Sequence, residues 1–296
     1  MSKDARSDLP PELFSLFDRY VHGGISRREF LDGAARFAVG GLTAAALLDR
    51  LKPNYALAQQ VPEGDARIGT EYVTYPSPEG HGEVRALLAR PAGQAGPFPG
   101  VVVVHENRGL NPYIEDVARR LAAEGFLALA PDGLTPVGGY PGDDDRGREL
   151  QASLDRDRLM EDFVAAAVHL MDHPECTGRV GVVGFCYGGL VSHTLAIRLP
   201  QLAAAVPFYG RQPDVEGVPR IQAPLLIHFA EDDPGVNGGW PEYEAALQAH
   251  GVEYTAHFYE GTLHGFHNDT TPRYDPEAAA LAWERTVAFF RRTLAG

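Results

Sequence analysis

From residue 65 onward, short apolar runs alternate with longer stretches in which apolar positions recur every three to four residues. The short runs are rich in β-branched residues and read as strands: Tyr72–Tyr75, Val84–Ala89, Val101–Val104, Phe126–Ala130, Val180–Val183, Ala203–Phe208, Leu225–Phe229 and Tyr254–Tyr259. Val101–Val104 has no polar break, the mark of a strand covered on both faces. The longer stretches read as helices: Ile114–Ala123, Asp157–Met171, Gly189–Arg198, Tyr243–His250 and Ala278–Leu294. The first two strands flank the Gly- and Pro-containing turn Pro76–Gly82 and form a pair; beyond them strand and helix alternate. That order predicts an α/β fold with a mostly parallel sheet flanked by helices on both faces. Residues 131–147, dense in Gly, Pro and Asp, read as a long loop.

Residues 1–64 follow a different rhythm and read as an N-terminal helical extension. Pro10-Pro11 can start a helix with Leu13, Phe14, Leu16 and Phe17 on its apolar side. Ser26, with Glu29 three residues later, has the spacing of a capping box, and Pro53 breaks the pattern. The same segment has a second reading. Ser26-Arg27-Arg28-Glu29-Phe30-Leu31 looks like a twin-arginine export motif, followed by the weakly apolar Phe37–Leu48 and the small-residue pattern Ala56-Leu57-Ala58. Asp32 and Arg36 interrupt the apolar part. A retained arm on a cytoplasmic protein is the preferred expectation, export to the periplasm the alternative. No apolar run approaches the ~18 residues of a membrane span.

Length and charge narrow the partners. The 296 residues suffice for one large α/β domain plus the extension. A net charge of −14 argues against nucleic acid, whose phosphates need a basic surface. The two cysteines, Cys176 and Cys186, make neither a disulfide framework nor a cysteine-rich zinc cluster, so no metal and no organic cofactor is expected.

The sharpest motif is Gly184-Phe185-Cys186-Tyr187-Gly188-Gly189, between a strand and a helix. This is G-x-C-x-G, the cysteine form of the nucleophile elbow. A tight strand-to-helix turn lifts the nucleophile off the backbone, and its flanking positions must be small. The helix start beyond it favours a thiolate and leaves the Tyr187 N–H free to meet an oxyanion. A nucleophile so placed needs a histidine base and an orienting carboxylate, in the chain order nucleophile, acid, base. His264, in Glu260-Gly261-Thr262-Leu263-His264-Gly265-Phe266, follows the last strand; His267 is its nearest rival. The acid is Asp232 or Asp233, both after Leu225–Phe229, with Asp233 preferred.

With these residues assembled, the chain resembles the dienelactone hydrolase family over roughly residues 70–294. The resemblance is carried by His105-Glu106-Asn107-Arg108-Gly109, the elbow at Cys186, the Asp232-Asp233 loop and His264-Gly265-Phe266. It implies the α/β-hydrolase fold and cleavage of a small-molecule carboxylic ester or lactone through a Cys186–His264–Asp233 triad. It also implies that Glu106 hydrogen-bonds the resting thiol and that the Asn107 N–H joins Tyr187 in the oxyanion hole. One departure stands out: where the family has a carboxylate-binding arginine four residues after the histidine, this chain has Asn268. Arg146, Arg148 and Arg211 are candidates for another such arginine, and Tyr140, Trp240 and Phe266 for pocket walls under the 131–147 loop. Two further readings stay open: a non-hydrolytic thiol sensor on a hydrolase scaffold, and an interaction protein whose N-terminal arm builds a homo-oligomer.

Overall fold

A computed structural model describes residues 9–38, 42–57 and 59–295. Eight strands form one sheet: β1 (Ile68–Ser77), β2 (Gly82–Pro91), β3 (Phe98–Val104), β4 (Leu127–Pro131), β5 (Cys176–Phe185), β6 (Ala204–Phe208), β7 (Leu225–Asp232) and β8 (Tyr254–Leu263). Their order is β1-β2-β4-β3-β5-β6-β7-β8. β1 and β2 pair antiparallel, as do β2 and β4, and every later pairing is parallel. This is the α/β-hydrolase arrangement.

Alternation along the central strands divides the core between two faces. Val102 and Val104 of β3 belong to one apolar cluster, with Leu159 and Phe163 of helix Arg156–Met171, Val191 and Leu195 of helix Tyr187–Arg198, and Tyr243 and Leu247 of helix Trp240–Ala249. Val101 and Val103 belong to the other, with Ile114 and Leu121 of helix Pro112–Ala123 and Val287 and Phe290 of helix Pro276–Leu294. All four valines are fully buried, which is why the run carries no polar residue.

Two boundaries differ from expectation in ways that matter for the site. The segment read as a loop over 131–147 gives way to a helix at Asp144–Ala152, because the Asp143 side chain caps it by accepting from the Arg146 N–H at 2.8 Å. Strand β8 runs on to Leu263, past a register shift opposite Ala230/Asp232, and so delivers His264 directly at the strand end. Cys176 and Cys186 are both free and bracket the ten-residue β5. At ~3.3 Å per residue that strand separates them by roughly 30 Å, far beyond disulfide reach.

The N-terminal segment folds into helices α1 (Pro11–Val21), α2 (Arg27–Ala34) and α3 (Ala44–Leu51). Ser26 caps α2 in a complete capping box with Glu29. Leu13, Phe14, Phe17, Val21, Phe30, Leu47, Leu48 and Leu51 form a separate apolar cluster, against which Leu263 of the main sheet packs. Polar contacts fasten this arm. Tyr20 donates to Asp145 at 2.6 Å, Arg27 pairs with Asp145 at 2.9 Å, and Lys52 reaches the same carboxylate at 3.3 Å. Arg27 and Phe30, two residues of the export-like motif, thus serve as a tether and a core residue. Ala58, in the small-residue pattern, and residues 39–41, within the weakly apolar stretch, lie outside the described residues. Among the described residues no helix is long and apolar enough to cross a membrane.

Candidate active site

Parallel strands end on the same side of a sheet, and the chemistry gathers there. Glu106 follows β3, Cys186 follows β5, Asp233 follows β7 and His264 follows β8. The turn at Cys186 is tight. Its backbone has φ 56° and ψ −110°, a conformation that non-glycine residues seldom adopt, and its N–H is anchored to the Phe208 carbonyl at 3.0 Å. A Cβ at Gly184 would lie 1.9 Å from the Gly188 carbonyl oxygen, and one at Gly188 would lie 2.3 Å from that of Val104. Only glycine fits at either position, so the motif's spacing is a steric requirement. The following helix begins at Tyr187, whose N–H therefore has no acceptor within the helix.

His264 and Asp233 form a close pair. Nδ1 of the imidazole is 2.6 Å from Oδ2 of the carboxylate, and both side chains are buried. Asp232 is exposed, which separates it from its neighbour. His267, the rival base, is buried with its Nδ1 2.7 Å from the Tyr113 hydroxyl. The ring of Tyr209, whose φ of 36° is also positive, lies 5.0 Å from the His264 ring.

Nothing in the residue pattern marks His22, which stands at the C-terminal end of α1. Its Nε2 lies 3.4 Å from Cys186 Sγ, and its ring packs edge-on to that of His264 at 4.6 Å. The arm thus covers the elbow sulfur. Asn107 Nδ2 donates to the Val21 carbonyl at 2.7 Å, holding the end of α1 in place. Burial pushes the Cys186 thiol up, but the imidazoles of His264 and His22 more than offset this and bring it down to about 6. Burial works against the His22 imidazolium, yet Cys186 and Asp18 raise its pKa to about 9. His264 is likewise raised well above its ordinary value: Asp233 and Cys186 outweigh the effect of burial. The three shifts run in the directions that favour a thiolate flanked by two imidazolium rings.

The remaining candidates fall out differently. Glu106 is buried and bonded to Arg108 Nη2 at 2.9 Å and to Asn268 Nδ2 at 3.2 Å, while the hydrogen-bond partner found at the thiol is His22. Arg108 is in turn paired with Asp144 at 3.0 Å. Asn268 is therefore engaged with Glu106, and its carbonyl oxygen accepts from Thr270. Tyr140 donates to Asp144 at 2.9 Å, Arg148 pairs with Asp145, and Arg146 pairs with Glu149 on the surface at 2.9 Å. Arg211 is exposed. Trp240 packs on Phe229, with ring centroids 5.0 Å apart, and Phe266 is fully buried against Tyr259 at 4.9 Å. These two aromatics are core: Trp240, at the start of its helix, packs on the rings of β7 and β8, and Phe266, in the turn after β8, packs on Phe208 and Tyr259.

An arginine does reach the site, but from an unexpected position. Arg273 is buried with Nη2 3.3 Å from the place a Cβ would take on Gly265. Its Nη1 is 3.3 Å from Asp18 of the arm, and its Nε has no hydrogen-bond partner among the described residues. Burial raises the pKa of Asp18, but His22, His264 and Arg273 together pull it well below the ordinary carboxylate value. The signal for Arg273 was its place in the loop after His264, nine residues on instead of four. A cavity of about 540 Å³ lies elsewhere, lined among others by Arg120, Tyr274 and Trp283, and includes none of Cys186, Asp233 and His264.

Known proteins resemble this chain over most of its length. The model of the dienelactone hydrolase family matches residues 84–294, and a second model, described as YqhI-like, matches residues 1–39. A hydrolase fragment of Escherichia coli, YghX, is 68% identical over 114 residues, covering 38% of this chain and 97% of the fragment. A Saccharolobus solfataricus protein named as a carboxymethylenebutenolidase is 31% identical, over 71% of this chain and 94% of its own length. A crystal structure from Klebsiella pneumoniae, described as a dienelactone hydrolase, superposes with a TM-score of 0.67 at 28% identity, covering 76% of this chain and 99% of that one. Elbow, sheet order and family match converge: the chain is a hydrolase that belongs to the dienelactone hydrolase family.

Proposed function

We propose that this chain cleaves carboxylic esters or lactones by acyl transfer through Cys186, with His264 as base and Asp233 as its orienting acid. The observation that carries the reading is the 2.6 Å bond between His264 Nδ1 and Asp233, which fixes the imidazole with its Nε2 toward the elbow sulfur.

The sulfur attacks the carbonyl carbon once the substrate displaces His22 from its contact. The negative oxygen of the tetrahedral intermediate is held by the N–H groups of Tyr187 and Asn107, each such donor contributing about 3–4 kcal/mol in comparable acyl transfers. The C–O bond to the leaving group breaks as His264 Nε2 supplies its proton, leaving a thioester on Cys186. A water molecule then loses a proton to His264 and attacks the thioester; the thiolate leaves and the acid is released. In a lactone the leaving oxygen stays on the same molecule, so one product emerges. Glu106 acts indirectly, keeping Arg108 and Asn268 in position, and His22 takes the place at the resting sulfur that the family resemblance implied for Glu106.

A p-nitrophenyl ester provides the test. Wild-type protein should release a burst of p-nitrophenol, and mass spectrometry should find the acyl group on Cys186. The variant Cys186→Ala should give neither. Turnover by that variant at the wild-type rate would remove Cys186 from the mechanism.

A further inference from the structure

Three atoms of the kind that bind soft metals meet where the arm touches the hydrolase domain. His22 Nε2, Cys186 Sγ and His264 Nε2 all lie within 4.8 Å of one another. Both imidazoles are fixed through the opposite nitrogen. His264 Nδ1 bonds Asp233 at 2.6 Å, and His22 Nδ1 bonds the Asp18 carbonyl at 2.9 Å with the Asp18 carboxylate at 3.3 Å. Metal-binding histidines are oriented in this way: a carboxylate or carbonyl holds one ring nitrogen so that the other points at the ion. His264 Nε2 is buried with Cys186 beside it, so loss of its proton leaves a nitrogen lone pair directed into the cluster.

One edge of the cluster has the length a tetrahedral ion requires. With sulfur at ~2.3 Å and nitrogen at ~2.0–2.1 Å from zinc, the sulfur-to-nitrogen edge of a tetrahedron is roughly 3.5 Å. The Cys186 Sγ to His22 Nε2 separation is 3.4 Å. One thiolate and two imidazoles suit zinc rather than magnesium or calcium, which prefer oxygen. The ligands come from three segments far apart in the chain, which is why counting cysteines revealed no such cluster.

We propose that His22, Cys186 and His264 bind one zinc-like divalent cation, which ties the N-terminal arm to the hydrolase domain and silences the nucleophile. On binding, the protons carried by His22 Nε2 and His264 Nε2 pass to solvent, and the lone pairs of both nitrogens and of the Cys186 thiolate enter the bonds to the ion. Water completes the fourth position. Removing the ion restores both groups. Only the effect on activity rests on the reading of Cys186 as nucleophile; the site itself does not.

The test uses the full chain, stripped of metal by a chelator and kept reduced, then titrated with Co²⁺. One equivalent should produce a near-ultraviolet thiolate-to-cobalt band and the intense visible bands of four-coordinate cobalt, and Zn²⁺ should abolish them. Ester hydrolysis by the stripped protein should fall as Zn²⁺ is added and return with chelator. His22→Ala should weaken Zn²⁺ binding by about a hundredfold or more, and His22→Cys, which restores a zinc ligand, should recover most of it. Equal Zn²⁺ affinity in wild type and His22→Ala, or cobalt spectra without a thiolate band, would overturn the proposal. A stripped protein that gives the cobalt spectrum but hydrolyses no ester would leave the metal site standing and defeat the hydrolytic mechanism instead.

Discussion

His22 Nε2 lies 3.4 Å from Cys186 Sγ, a contact between residues 164 positions apart in the chain. It joins the C-terminal end of α1 to the strained elbow, so the state of the Cys186 sulfur depends on a segment outside the sheet that presents it. Because the thiol is lowered to about 6 by His264 and His22 against the effect of burial, thiolate predominates at neutral pH. In metal-free protein, alkylation of Cys186 by iodoacetamide should be at its plateau above about pH 7 and should fall roughly tenfold per pH unit below about pH 5. His22→Ala removes one of the two cations, so the midpoint should move upward, toward that of an ordinary thiol. An unchanged midpoint would mean that His264 alone sets it.

Asp233 holds one tautomer of His264, whereas Asp232 is exposed on the strand end. Asp233→Asn should reduce kcat by up to about 10⁴-fold, the loss seen when the corresponding acid of a serine triad is amidated, with little change in KM. Asp232→Asn should leave both within about twofold, since exposed substitutions away from a site have small effects. Steady-state kinetics on a p-nitrophenyl ester separates the two aspartates.

Gly184 and the Gly188 carbonyl are in such close contact that a methyl group at Gly184 would lie 1.9 Å from that oxygen. Gly184→Ala should therefore cost about 1–3 kcal/mol of stability or more by forcing strand and helix apart. The denaturation midpoint should drop, and esterase activity should fall with it because the sulfur moves. A variant with wild-type midpoint and activity would contradict the steric account of the motif.

Arg273 lies beside the His264 loop with its guanidinium buried and paired with Asp18 of the arm. An ester carrying a free carboxylate gains a charge-assisted bond there of about 1.5–3 kcal/mol. Arg273→Ala should lower kcat/KM for a carboxylated ester by about 10- to 100-fold relative to a neutral ester of the same length. Equal losses on both esters would assign Arg273 to folding alone.

Much of this arrangement was legible in the residues. Val101–Val104 announced a strand buried on both faces, and Cys186, Asp233 and His264 were identifiable because each follows an apolar run that had to be a strand. Local sterics made the elbow readable: glycines at Gly184 and Gly188 are needed whatever the rest of the chain does. What could not be read depends on tertiary approach. His22 sits at a helix end with nothing in its neighbours to mark it, and only docking of α1 brings it to the sulfur. Trp240 and Phe266 follow strands in sequence but pack onto the rings of the sheet, a distinction that periodicity does not carry. Glu106 follows β3 as expected, yet its partner was decided by Arg108, two residues on.

The pairing of Asp18 with Arg273 means that the enzyme's own arm supplies the anion at the cationic end of its site. A negatively charged guest must compete for that guanidinium with an acid that never diffuses away, since it belongs to the same chain. Selectivity then becomes a contest between a dissolved molecule and a tethered rival, and raising the concentration of the guest is what tips it.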